Sequence, residues 1–90
     1  MARYRILSWQ GIPAQVKVFR EGGPPVSVPL ADWLVQEIDR VAMRTGVTGT
    51  DEYLEQWQWS SDLERPGAPE EVAAAVVAEL EAEWERVRPQ

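Results

Sequence analysis

Residues 8–18 read SWQGIPAQVKV, and the fold class turns on them. Two β-type runs meet in this stretch. Upstream, ARYRILSW (2–9) places Tyr4, Ile6 and Ser8 on one side and Arg3, Arg5, Leu7 and Trp9 on the other. Downstream, AQVKVFR (14–20) alternates Val16 and Val18 against Gln15, Lys17 and Phe19. Between them Gly11 can take the positive φ a turn needs. Pro13, without an N–H, suits a strand's first residue or an edge. The pattern predicts an antiparallel hairpin over residues 2–20. If the register aligns the two strands, Arg3, Arg5, Trp9, Gln15, Lys17 and Phe19 form one aromatic and basic face opposite an Ile6–Val16–Val18 core. A bulge or a one-residue slip would undo that face.

Working outward, EGGPP (21–25) is a turn, and VSV (26–28) offers a short third strand before Pro29, which suits a helix's first turn. From Leu30 the period changes to three and four. Leu30, Leu34, Ile38, Val41, Ala42 and Thr45 make an apolar stripe flanked by Trp33, which predicts a helix over about 30–45 closed by Gly46. Thr50 is the expected N-cap of a second helix over 51–59, with Asp51 and Glu52 in its first turn and Tyr53, Leu54 and Trp57 on one face. Trp59 falls beyond that helix or on its opposite face, because two residues turn a helix by about 200°. SSDLERPGA (60–68) reads as a linker. The last helix spans 69–88, with Glu70 and Glu71 at its start and Arg86 and Arg88 at its end. Its apolar arc is Val72, Ala73, Val76, Val77, Leu80, Trp84 and Val87. The order predicts an α+β domain: a small antiparallel hairpin or three-stranded sheet covered on one face by three helices.

Ninety residues with one such pattern are read as a single domain, 1–90, with a modest core. There is no cysteine and no histidine, so disulfides, thiolate metal sites and the commonest general base are all absent. No apolar run approaches the ~20 residues of a membrane span. MARYRILSW lacks the make-up of a signal peptide. A soluble cytoplasmic protein is the expectation. Residues 1–20 carry four cations and no acid, whereas residues 51–90 carry eleven acids against three arginines. The net charge of −6 argues against non-specific nucleic-acid binding.

Candidate chemistry is sparse. GVTGT (46–50) before a helix has the outline of an anion site, but Asp51 and Glu52 follow it and would repel a phosphate. The acid pairs Asp51/Glu55 and Glu79/Glu83 lack the ligand count of a dedicated cation site. Ser8, Ser27, Ser60 and Ser61 have no histidine to activate them, and Lys17 is the only lysine. The residues therefore predict no catalytic centre, no metal, no cofactor and no enzyme activity of the chain alone. Of five tryptophans, Trp33, Trp57 and Trp84 belong to apolar helix stripes, while Trp9 and Trp59 are not placed inside by any period.

At SWQGIPAQVKV (8–18) and again at IDRVAMRTGVTGTDEYLEQW (38–57) the chain resembles the small bacterial family labelled "virulence factor" domain. The residues that carry the likeness are Trp9, Ile12, Pro13, Ala14, Gln15 and Val16, then Ala42, Met43, Arg44, Gly46, Gly49, Thr50, Asp51, Tyr53, Leu54 and Trp57. It covers roughly residues 4–57, with the last helix outside the recognisable pattern. QG stands where relatives often carry RD after the Trp, so no role for that pair transfers. The resemblance implies an accessory domain, in relatives sometimes fused to scaffold-like and helical-repeat modules and in some of them associated with one-carbon or corrinoid methyl-transfer systems. Together these readings point to a small protein-interaction domain whose contact face is Arg3, Arg5, Trp9, Gln15, Lys17 and Phe19. Its expected partner is a protein, a second copy of the chain among the candidates. Two other classes stand beside it: a nucleic-acid-binding module on the same face, and a non-catalytic subunit that completes a partner enzyme's site.

Overall fold

A computed structural model describes residues 1–87 of the chain. The hairpin is present as β1 (Ala2–Trp9) and β2 (Ile12–Val18). Its connection is shorter than QGIP. Trp9 pairs directly with Ile12, leaving Gln10 and Gly11 as a two-residue loop with φ of 47° and 83°. Positive φ at both central positions marks the type I′ turn that matches strand twist. Ile12 and Pro13 thus belong to β2, which begins two residues earlier than the alternation indicated.

The sheet is larger than predicted. Five strands are ordered β3–β2–β1–β4, with β5 also on β1. β3 (Val26–Pro29) pairs with β2, so Pro29 ends a strand instead of opening a helix. β4 (Trp57–Trp59) and β5 (Leu63–Arg65) share the other side of β1. Between them the Ser60 N–H donates to the Ile6 carbonyl at 2.8 Å, and the Ile6 N–H donates to Ser60 Oγ at 2.9 Å. The expected helix over 51–59 is therefore only α2 (Asp51–Glu55), and the expected linker contains a strand. The open side of β1 is the physical reason. An unpaired edge offers a row of N–H and C=O groups, and the alternating Trp-Gln-Trp segment satisfies part of it.

α1 (Asp32–Thr45) and α3 (Pro69–Val87) lie on the sheet face that carries Val16 and Val18. Leu34, Ile38 and Ala42 of α1 and Val72, Ala73 and Val76 of α3 are buried there with Leu30. Gly46 closes α1 in the left-handed conformation (φ 75°), and Thr50 Oγ1 accepts from the Tyr53 N–H at 3.3 Å as the cap of α2. Three residues of the predicted stripes are outside the core: Thr45 at the helix end, Leu54 (66% exposed) and Val87 (67% exposed). α2 is one turn long and β4 draws the chain away after it, so Leu54 meets no second layer. Arg88 lies outside the described residues.

Candidate functional site

The outer face of the sheet is built by register. Arg5 stands opposite Lys17, and Leu7 opposite Gln15, on β1 and β2. Across the next ladder Lys17 faces Ser27, and on the far side of β1 Leu7 faces Trp59. Paired residues share a face, so this one carries Arg3, Arg5, Leu7, Gln15, Lys17, Ser27 and Trp59. Phe19 follows β2 and stays in line with it, because its N–H donates to the Arg3 carbonyl at 2.9 Å.

Cations and rings interleave on that face. The Arg3 guanidinium carbon lies 4.7 Å from the centre of the Phe19 ring and that of Arg5 lies 5.9 Å from it. Lys17 Nζ lies 4.6 Å from the Trp59 ring centre. Such contacts contribute about 0.5–1 kcal/mol each at exposed sites, and they hold long side chains in fixed positions. Asp62, between β4 and β5, reaches over the same face. Arg5 Nε donates to its Oδ1 at 2.5 Å, and Arg3 Nε lies 3.9 Å from its Oδ2. That hydrogen bond, with the charges of Arg5 and Arg3 behind it, holds the Asp62 carboxyl below the usual carboxylate range.

Five of the six residues read as the contact face therefore share one surface: Arg3, Arg5, Gln15, Lys17 and Phe19. Trp9 does not. It is fully buried, its indole 5.5 Å from the Tyr53 ring and its Nε1–H donating to the Tyr53 carbonyl at 2.8 Å. The register runs Leu7↔Gln15 and then Ser8↔Pro13, a β-bulge that leaves Ala14 without an opposite number on β1 and bends and twists the pair there, and α2 covers this end of the hairpin with Tyr53 against the indole. Pro13 was the available signal, since proline within a paired strand marks an edge or a bulge. Trp59 and Asp62 are the members of the face that period alone missed. Trp59 is 41% exposed, and its place comes from pairing with β1.

Beside Trp59 a recess of ≈ 240 Å³ opens at the hairpin end, lined by Ile6, Ser8, Gln10, Gly11, Gln56, Gln58, Trp59 and Ser60. No ionisable side chain lines it. Glu79 of the pair Glu79/Glu83 is engaged by Arg65, and among the described residues no group of three potential ligands converges as a metal site would require. No helix of the described residues is long and apolar enough to cross a membrane.

Over residues 7–89 the chain matches the model of a family described as "Virulence factor". The match extends past residue 57 and takes in α3, which the shorter resemblance had left out. No curated protein and no solved structure matches the chain.

Proposed function

The chain belongs to the virulence factor family, and we propose that it serves there as a cytoplasmic accessory domain that docks an acidic partner protein on the outer face of its sheet. One observation carries this reading. The helices cover one face of the sheet, and the other presents Arg3, Arg5 and Lys17 fixed against Phe19 and Trp59. Aromatic and arginine side chains held in place are what interface anchors are made of. Three of the chain's nine cations stand on this one surface, and Lys17 among them offers a charge to an acidic group.

The reading favours binding over chemistry by the chain alone, because the recess next to the face holds no acid, base or nucleophile other than serine hydroxyls. The resemblance to domains associated with one-carbon and corrinoid methyl transfer makes a component of such a system the first partner to test. The chain's net charge of −6 disfavours non-specific nucleic-acid binding, whose affinity comes from neutralising phosphates.

The test is a pull-down with the whole protein from cells of its source, read by mass spectrometry, for wild type, Lys17→Glu and Trp59→Ala. The expected outcome is a protein lost from both variants and retained by Glu83→Lys on the opposite side of the molecule. All variants should melt within a few degrees of wild type. A partner that survives both face substitutions would sink the assignment, as would recovery of nucleic acid in its place.

A further inference from the structure

Asp62 occupies the part of the face that an acidic partner would need. Its two carboxylate oxygens lie at 2.5 Å from Arg5 Nε and 3.9 Å from Arg3 Nε, and both guanidinium groups rest against Phe19. Lys17 stands opposite Arg5 on the neighbouring strand and lies over Trp59. Among the described residues it has no carboxylate within ion-pair distance. We propose that the Arg3–Arg5 pair is a carboxylate receptor which Asp62 fills in the free chain, and that an acidic segment of a partner docks by displacing Asp62 from Arg5 while a second acid engages Lys17. This rests on the reading of the face as a docking surface and adds how the partner is recognised.

Three physical points favour exchange over a permanent tie. The Arg5–Asp62 pair is exposed on both sides, 43% and 42%, so replacing it with an equivalent pair is nearly neutral. Asp62 sits in the connection between two three-residue strands, so its side chain can leave without opening a core. Phe19 keeps the arginines in place after it leaves, so the receptor is pre-organised. Neighbouring positions on the sheet lie about 5–7 Å apart. The matching ligand is an extended segment with acids at alternate residues.

The probe is a fluorescein-labelled decapeptide of alternating Glu and Ser, titrated by anisotropy into the full chain at low and at 0.3 M salt. Asp62→Asn should bind it at least three- to fivefold more tightly than wild type, and Lys17→Gln and Arg5→Gln should weaken it by similar factors. Circular dichroism melts accompany each variant to show that it is folded. If the peptide binds and Lys17→Gln weakens it, but Asp62→Asn does not tighten it, the displacement is wrong and the docking face stands. If neither wild type nor Asp62→Asn binds, or Lys17→Gln changes nothing, the docking face itself falls and the displacement with it. Tighter binding of Asp62→Asn to a labelled single-stranded oligonucleotide than to the peptide would also overturn the assignment.

Discussion

Trp9 sits where a tight turn, a bulge and a one-turn helix meet, and each of the three contributes to its burial. The turn at Gln10–Gly11 pins Trp9 opposite Ile12. The bulge at Ala14 bends and twists the strand pair at this end of the hairpin. Thr50 starts α2 where Tyr53 can close over the ring and accept its N–H. A buried indole with a satisfied donor supplies a large apolar area at little polar cost. Trp9→Ala should therefore lower stability by roughly 3–5 kcal/mol, measured by urea denaturation. Trp9→Phe keeps much of the contact but leaves the Tyr53 carbonyl without this donor, adding about 1 kcal/mol to the packing loss. If Trp9→Ala unfolded within about 1 kcal/mol of wild type, on the scale of an ordinary surface substitution, Trp9 would not be the keystone of this end of the sheet.

Among the elements, α1 begins without a side-chain cap of its own. Ala31 precedes it, and the Ala31 N–H donates instead to a carboxylate oxygen of Glu81 on α3 at 2.7 Å. The contact joins the two long helices across fifty residues of sequence, and it places a negative charge at the positive end of α1. Glu81→Ala should cost about 1–2 kcal/mol, or several degrees in melting temperature for a domain of this size, with Glu81→Gln retaining most of it. Equal losses for both variants would show that charge at the helix start outweighs the hydrogen bond.

How much was legible follows the same division between local and long-range causes. Leu34, Ile38 and Ala42 recur every four residues, Gly46 stops the helix and Thr50 caps the next. Those signals are local, and α1 lies where they put it. β4 and β5 are three residues each, too short to show a period, and they exist because β1 has an edge to fill. The chain after Thr50 therefore starts as the helix its cap announces and leaves it within two turns. The same reasoning separates the face: Arg3, Arg5, Gln15, Lys17 and Phe19 follow strand alternation, while Trp59 and Asp62 reach it through pairings more than fifty residues away in sequence.

Over the whole molecule, ion pairs tie the sheet to segments distant in sequence, and in two of them the guanidinium holds a carboxyl below its ordinary range. Arg5 holds Asp62, joining β1 to the connection between β4 and β5, and Arg65 holds Glu79, joining β5 to α3. The hydrogen bond from Arg65 keeps the Glu79 carboxyl below its ordinary range, as Arg5 does for Asp62. A carboxyl whose folded pKa lies below its unfolded value stabilises the fold above the unfolded value of about 4, and that contribution vanishes as pH falls through the folded value. Stability should thus be level near neutrality and decline on the acid side from about pH 4–5 downward. Both pairs are exposed to solvent, so salt should weaken them. The double variant Asp62→Asn, Glu79→Gln should flatten the acid limb of melting temperature against pH by lowering the neutral plateau, because it removes at every pH the contribution that acid removes. An unchanged acid limb would mean that other carboxylates, of the fifteen in the chain, govern acid unfolding. The acid-sensitive pair at Arg5 is also the one on the docking face. Acid that loosens the fold there would release the same guanidinium that a partner's carboxylate must reach.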